Sequence, residues 1–231
     1  MEATKVLAGR RGIRKRHISS EAAAGAAHDG LRAQGLRTRN VIVRVARKVL
    51  LESGPLEFSL RAVALRAGIS VSNLQYYFPT KLAVLRAVME PEIDAYLDEV
   101  KRKLDCGVPP QEVLDAIVKR SLRDAKDIEY TALLRHFFSF ASTDPECAEL
   151  IDEWYCTLTH EFAKLIRAVN PKFGTADSMH VAALLIAMAD GLAMHPGAGH
   201  SKHAHTREFD ERYISTVNCI VQGGAFGVRE E

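Results

Sequence analysis

From Thr38 onward, apolar residues recur at the spacing of an amphipathic helix. Val41, Val45, Val49 and Leu50 fall on one face with Ile42 and Ala46 beside them, while Arg44, Arg47 and Lys48 lie elsewhere. Gly54-Pro55 supplies a stop. Ser59 is placed to cap a second helix whose inward positions are Leu60, Val63 and Ala64. Gly68 suits a turn with positive φ, and Ser70 can cap a third helix in which Leu74 and Phe78, four apart, point inward together. Pro79 closes that helix and Thr80 caps the next, which starts at Lys81. Further on, the pattern predicts helices over roughly 80–104, 110–127, 129–142, 145–169, 176–194 and 207–222. They are broken at Gly107-Val108-Pro109-Pro110, Thr143-Asp144-Pro145, Asn170-Pro171 and His195-Pro196-Gly197, and Pro91 is expected to kink or divide the first of them. No alternating strand pattern and no repeat is present, so the expected fold class is all-α.

Residues 1–38 read differently. A basic run (Arg10, Arg11, Arg14, Lys15, Arg16) precedes an Ala/Gly-rich stretch, with too few apolar residues for a core. This segment reads as a flexible basic arm with room for a short helix around Ser20–Gln34. The net charge of +2 conceals a strong segregation. Residues 1–38 carry eight Lys/Arg against three Asp/Glu, residues 39–88 eight against two, and residues 89–231 fifteen against twenty-four. A basic first third joined to an acidic remainder suits an N-terminal part that meets a polyanion and a C-terminal part that does not. Apolar residues make up 47% of the chain, ample for a core, yet no apolar run approaches the ~18 residues of a membrane span and no signal-peptide pattern opens the chain. A cytoplasmic location is expected. Cys106, Cys147, Cys156 and Cys219 are scattered without a CxxC pair and read as reduced, mostly buried thiols.

The stretch Ser59–Lys81 carries the chemistry. Two short helices around a glycine turn fit a helix-turn-helix, in which the second helix lies in the major groove and reads base edges. Its outward candidates are Val71, Ser72, Asn73, Gln75 and Tyr76. Gln75 or Asn73 can bond adenine bidentately and Val71 can touch a thymine methyl. Tyr76, Tyr77 and Lys81 lie where phosphates pass and would set register rather than sequence.

Several spacings then agree at once with one family. Val63-Ala64, Ala67-Gly68-Ile69-Ser70 and Leu74-Gln75-Tyr76-Tyr77-Phe78-Pro79-Thr80-Lys81 resemble the N-terminal domain of the tetracycline-repressor (TetR) family of transcriptional regulators, over about residues 39–88. The resemblance implies a three-helix DNA-binding domain over 39–88 and a larger helical effector-binding and dimerisation domain over 89–231. It implies DNA contacts by Arg39, Ser59, Arg61, Ser70, Val71, Ser72, Asn73, Gln75, Tyr76, Tyr77 and Lys81. The family's frequent Tyr after the Leu is Gln75 here, which puts an amide where a phenol often meets phosphate. It also implies that the last two long helices pair with their two-fold mates, for which Val181, Leu184, Leu185, Met188, Leu192, Ile214, Val217 and Val221 supply apolar stripes.

For an effector pocket, His136, Phe137, Phe140, Trp154, Tyr155, His160 and Met188 combine aromatic bulk with polar handles. His195, His200, His203 and His205 are good ligand types for zinc, nickel or copper, but they sit in a Gly/Ser-containing loop without Cys or carboxylates at ligand spacing, so no metal or other cofactor is predicted. No GxSxG, Walker loop, HExxH or GxGxxG appears, and an enzyme is not expected. The expected protein is a homodimeric, ligand-responsive repressor on a palindromic operator. Two alternatives stand beside it: a metal- or redox-responsive sensor of the same fold using the His195–His205 loop or the cysteines, and an enzyme or small-molecule carrier with a vestigial helix-turn-helix.

Overall fold

The computed structural model describes the backbone of residues 8–194 and 208–224, and side chains from residue 33 onward within those ranges. Among these residues the elements are α1 (Ala8–Glu57), α2 (Leu60–Ala67), α3 (Val71–Tyr77), α4 (Lys81–Asp105), α5 (Pro110–Asp124), α6 (Ile128–Ala141), α7 (Pro145–Val169), α8 (Thr175–Met194) and α9 (Phe209–Val221), with no strand. The helical segment reaches back to Ala8, further than the short helix predicted around Ser20–Gln34. Its regular part ends at Gly54, whose φ of 71° and ψ of −176° break the helix before a last turn through Pro55.

Two cores organise the chain. The first gathers Ile42, Ala46, Val49 and Leu50 of α1, Val63 and Ala64 of α2, Leu74 of α3 with Phe78, the start of α4, and Phe137, Phe140 and Trp154 from α6 and α7. The buried face of α1 is therefore Ile42-Ala46-Val49-Leu50. Val41 is 41% exposed, so the seam lies one position round from the one centred on Val41 and Val45. The second core joins Val100 of α4 to α5, the C-terminal half of α7, α8 and α9. α4 runs through both. Val84, Leu85, Val88 and Met89 belong to the first core, Val100 to the second, and Ile93 packs against both. Pro91 sits inside this continuous helix at the handover.

The helix most apolar in composition is α8, long and apolar enough by those criteria alone to cross a bilayer, contrary to the sequence expectation that no run comes close. One side of it is core: Val181, Ala182, Leu185, Leu192 and Ala193 are buried against the rest of the chain. α7 forms its most extensive helix pair. A second expectation also changes. Cys147 alone among the cysteines is buried, while Cys106, Cys156 and Cys219 are exposed.

Leu74 is fully buried in the first core, whereas its neighbour Gln75 faces solvent. Leu74→Ala is expected to lower unfolding free energy by about 2–5 kcal/mol, and Gln75→Ala by less than about 0.5 kcal/mol. Urea denaturation of the two variants measures both; similar losses would contradict this placement of α3.

Candidate DNA-binding face and ligand cavity

The helix-turn-helix is built by three hydroxyl caps and one glycine. The Ser59 hydroxyl accepts from the Ala62 N–H, Ser70 from Asn73 and Thr80 from Ala83, each at 3.1 Å. Each cap satisfies an otherwise orphaned donor and is worth ~1 kcal/mol. Gly68 terminates α2 in the left-handed region (φ 68°), where its N–H meets the carbonyls of Ala64 and Leu65. With Leu74 turned inward, Val71, Ser72, Asn73, Gln75 and Tyr76 are all exposed on α3, and Arg61 is exposed on α2. Tyr77 is half-buried and meets Tyr76 edge to face at 5.1 Å between ring centroids. Two predicted contacts are already engaged. The Arg39 guanidinium lies 5.0 Å from the Phe78 ring centroid, and the Lys81 ammonium lies 3.5 Å from Asp144 and over the Phe140 ring. Lys81 thus turns toward α6 and the start of α7.

Most of the residues expected to line an effector pocket do something else. Phe137, Phe140 and Trp154 pack with Phe58 in an aromatic cluster of the first core, with centroid spacings of 5.9–6.4 Å. His136 lies beside Gly54, where burial, and then the Arg135 charge, lower its pKa. His160 is exposed, its Nδ1 2.7 Å from the Cys156 carbonyl one turn earlier. Met188 packs against the second core. Only Tyr155 of that set lines an apolar cavity enclosed between the helices.

That cavity, of about 100 Å³, lies among α4–α9. Its wall is apolar (Ile93, Leu114, Ile117, Leu134, Phe162, Leu185 and others) except for Ser121, four tyrosines and one carboxylate. The tyrosines are Tyr96, Tyr130, Tyr155 and Tyr213, all of the chain's tyrosines outside α3; the carboxylate is Asp190. Tyr155 donates to Asp190 Oδ2 at 2.6 Å. Tyr96 donates to Asp124 Oδ2 at 2.8 Å, and its ring is held from behind by Arg120, whose Cζ lies 4.1 Å from the ring centroid. Arg120 is itself fixed by Asp124, Glu99 and the Ala95 carbonyl. Burial pushes the phenols up, Tyr130 to about 12 and Tyr96 and Tyr155 further, so all remain neutral. Burial also pushes the Asp190 carboxyl up to about 6, partly offset by the Tyr155 hydroxyl. Among the described residues no cationic side chain pairs with Asp190. Near neutral pH the cavity therefore holds an ionised, half-buried carboxylate that no described side chain counters. A small cation bound there would recover the desolvation cost, and aromatic walls add cation–π attraction.

Sequence reasoning missed Tyr96, Tyr130, Tyr213 and Asp190. The signal was present in the distribution of tyrosines and in an aspartate set inside an apolar helix. Five residues expected at a dimer interface, Val181, Leu185, Leu192, Val217 and Val221, are buried within the chain's own core; Leu184, Met188 and Ile214 retain exposure. Among the described residues no group of three His, Cys, Asp or Glu side chains is placed to hold a metal. The His195–His205 loop lies outside the described residues.

Residues 42–88 match the family model for bacterial regulatory proteins of the tetR family, and residues 110–217 match that for the C-terminal domain of BetI-type transcriptional repressors. The HTH-type transcriptional regulator BetI of Rhizobium meliloti is 26% identical over 155 residues, spanning 67% of this chain and 75% of BetI. A transcriptional regulator from Rhodococcus sp. Rha1 superimposes with a TM-score of 0.61 at 25% identity, covering 80% of this chain and 96% of its own. A regulator from Saccharomonospora viridis, solved in complex with choline, superimposes with a TM-score of 0.62 at 18% identity, covering 79% and 96%.

Because Asp190 titrates higher when folded than when unfolded, the unfolded chain releases its proton first. Stability is therefore lost as pH rises from about 4 to about 6, and the deficit persists above that at roughly 1–3 kcal/mol. Asp190→Asn, which can still bond Tyr155, is expected to remove it. The stability gain of the variant should grow between pH 4 and 6 and then stay level in urea melts; a gain independent of pH would refute the unpaired carboxylate.

Proposed function

The chain belongs to the tetR family of bacterial regulatory proteins and is a DNA-binding, ligand-responsive repressor; we propose that it holds a palindromic operator as a homodimer and releases it when a small organic cation, of the quaternary-ammonium type, fills the Asp190 cavity. The observation that carries the ligand class is Asp190 itself, ionised among four neutral tyrosines and, among the described residues, without a cationic partner. The volume narrows the size. About 100 Å³ is of the order of the ~150 Å³ cavity that accepts one benzene, and well below the ~300 Å³ and more of drug-sized pockets. The choline seen in the Saccharomonospora viridis regulator has this chemistry and size. Choline is thus the natural probe.

For the dimer, α8 offers a second side. His180, Ala183, Leu184, Ala187 and Gly191 recur at helical spacing and are exposed in the single chain, with Ile214 of α9 half-buried. Small residues let a second helix approach closely, and a two-fold copy presents the same surface in return. Two copies paired this way would set two α3 helices about 34–36 Å apart, one turn of DNA. Since operators stand in the cytoplasm, that is where the protein works.

On the DNA side, a site enriched from a random duplex library reads out the roles of the α3 residues. Asn73→Ala or Gln75→Ala should each cost about 1–3 kcal/mol at particular base pairs and relax preference there. Arg61→Ala should weaken all sequences evenly and flatten the dependence of affinity on salt. Unchanged affinity in all three would overturn the assignment of this face.

On the ligand side, choline titrated calorimetrically should bind with full affinity above pH 6. Below it, affinity should fall about tenfold per pH unit as Asp190 takes up its proton. Tyr155, Tyr130 and Tyr213, which face Asp190 from α7, α6 and α9, stay neutral and leave that profile to Asp190 alone. Asp190→Asn should weaken binding and remove the pH dependence. Binding of choline that ignores both pH and Asp190→Asn would exclude the cation reading.

A further inference from the structure

We infer that Arg47 is the residue through which the cavity positions the DNA-binding helices. The inference rests on the reading of the cavity as the effector site. Arg47 lies on α1, outside the face proposed to meet DNA bases, and reaches two carboxylates at once. Its Nη1 is 2.5 Å from Glu92 of α4 and its Nη2 is 3.7 Å from Glu129 of α6. Each carboxylate is followed in the chain by a residue of the cavity wall: Glu92 by Ile93, and Glu129 by Tyr130. One guanidinium on the DNA-binding side is thus held by the two cavity-wall helices that pack on α1, at the positions adjoining the wall.

The packing behind the clamp makes it directional. Ile93 and Tyr130 both pack against the first core, in which Ile42, Ala46, Val49 and Leu50 of α1 hold Val63 and Leu74 of α2 and α3. A ligand that displaces Ile93 or Tyr130 moves Glu92 relative to Glu129. The planar, forked guanidinium bridges two carboxylates in one geometry and tolerates little change in their separation. The outcome is a rotation or tilt of α1 that carries α3 with it. Half-exposed ion pairs contribute little net stability, which fits a contact used for geometry rather than for holding the fold. The other ion pairs between the two parts differ in this respect. Lys81–Asp144 and Arg86–Glu153 end on α7 at residues whose next neighbours, Pro145 and Trp154, do not line the cavity.

The test is a comparison of responses rather than of affinities. Operator affinity of the dimer is measured by fluorescence anisotropy in wild type, Arg47→Gln and Arg86→Gln, each with and without saturating choline. The same three backgrounds are combined with Ala189→Leu, which fills the cavity wall without any ligand. Amide hydrogen exchange over residues 39–77 is followed in parallel, a readout that needs neither operator nor ligand. In wild type, choline and Ala189→Leu are expected to weaken operator binding at least tenfold and to change exchange in α1. In Arg47→Gln that response should shrink to less than threefold while choline affinity stays within threefold of wild type. In Arg86→Gln it should persist. Arg47→Lys, which keeps the charge but not the fork, should behave like Arg47→Gln. A full response in Arg47→Gln, an equal loss in Arg86→Gln, or a wild-type chain whose α1 ignores Ala189→Leu would each overturn the inference. Failure of choline to bind would count against the cation reading alone, because the Ala189→Leu arm still decides the clamp.

Discussion

The continuity of α4 is the constraint on which the rest of the structure turns. A single helix from Lys81 to Asp105 contributes Val84, Leu85, Val88 and Met89 to one core and Val100 to the other. Packed interiors yield little, and a hydrogen-bonded helix transmits displacement along its axis. α4 thus joins Ile93 and Tyr96, in the cavity wall, to Lys81 and Thr80, which close the helix-turn-helix. Pro91 removes one backbone donor at the handover without ending the helix. That leaves one local point of compliance between two otherwise rigid halves. The aromatic cluster of Phe58, Phe137, Phe140 and Trp154 performs a complementary task by fixing α6 and α7 against the end of α1.

The cavity has a cost in stability. Filling it with Leu or Phe side chains would stabilise the chain, and replacing Asp190 by a neutral residue would remove a desolvation penalty. What is found instead is a wall of tyrosines with occupied hydroxyls and a carboxylate whose only side-chain partner among the described residues is Tyr155. The Arg120–Asp124–Glu99 network supports Tyr96 from outside the cavity, so the ring is placed by fixed charges rather than by loose packing. The arrangement sacrifices stability at one point and spends several charged groups in keeping that point in shape. Both are features of a binding site.

What was legible in the sequence follows from the range of the forces involved. The helix-turn-helix is local. Ser59, Gly68, Ser70 and Thr80 each act within four residues, so their roles could be read from spacing, and the structure places every cap and the positive φ as expected. The α1 seam was displaced by one position because Val41 and Val45 are as apolar as Ile42 and Ala46, and only the packing of α2, α4 and α6 decides which stripe is covered. The cavity was not legible in the same way. Tyr96, Tyr130, Tyr155, Asp190 and Tyr213 come from five helices and converge only in the folded chain. Aromatic bulk near His136 and Trp154 was a poor guide to the cavity, since the phenylalanines and the tryptophan pack in the first core. The tyrosines, which need both an apolar bed and a polar partner, marked the cavity.

Periodicity was least informative where the chain is most apolar, and α8 shows why. A helix buried on one side announces that side by its polar opposite. In α8 nearly every position is apolar or small, so no stripe stands out and Val181, Leu185 and Leu192 could be assigned to a partner as readily as to the core. The structure separates them: those three face inward, while His180, Ala183, Leu184, Ala187 and Gly191 remain on the outside. Three of the outer residues, Ala183, Ala187 and Gly191, are small, which suits close approach of a second helix. Asp190 breaks the pattern from within the same helix. It lies between Ala187 and Gly191 on the outer side and Ala193 on the inner side, so one helix carries both the proposed anchor for a cation and the proposed surface for a second copy. A displacement of α8 on ligand entry would then act on the pairing of two chains as directly as on the cavity, and the spacing of the two α3 helices would depend on both.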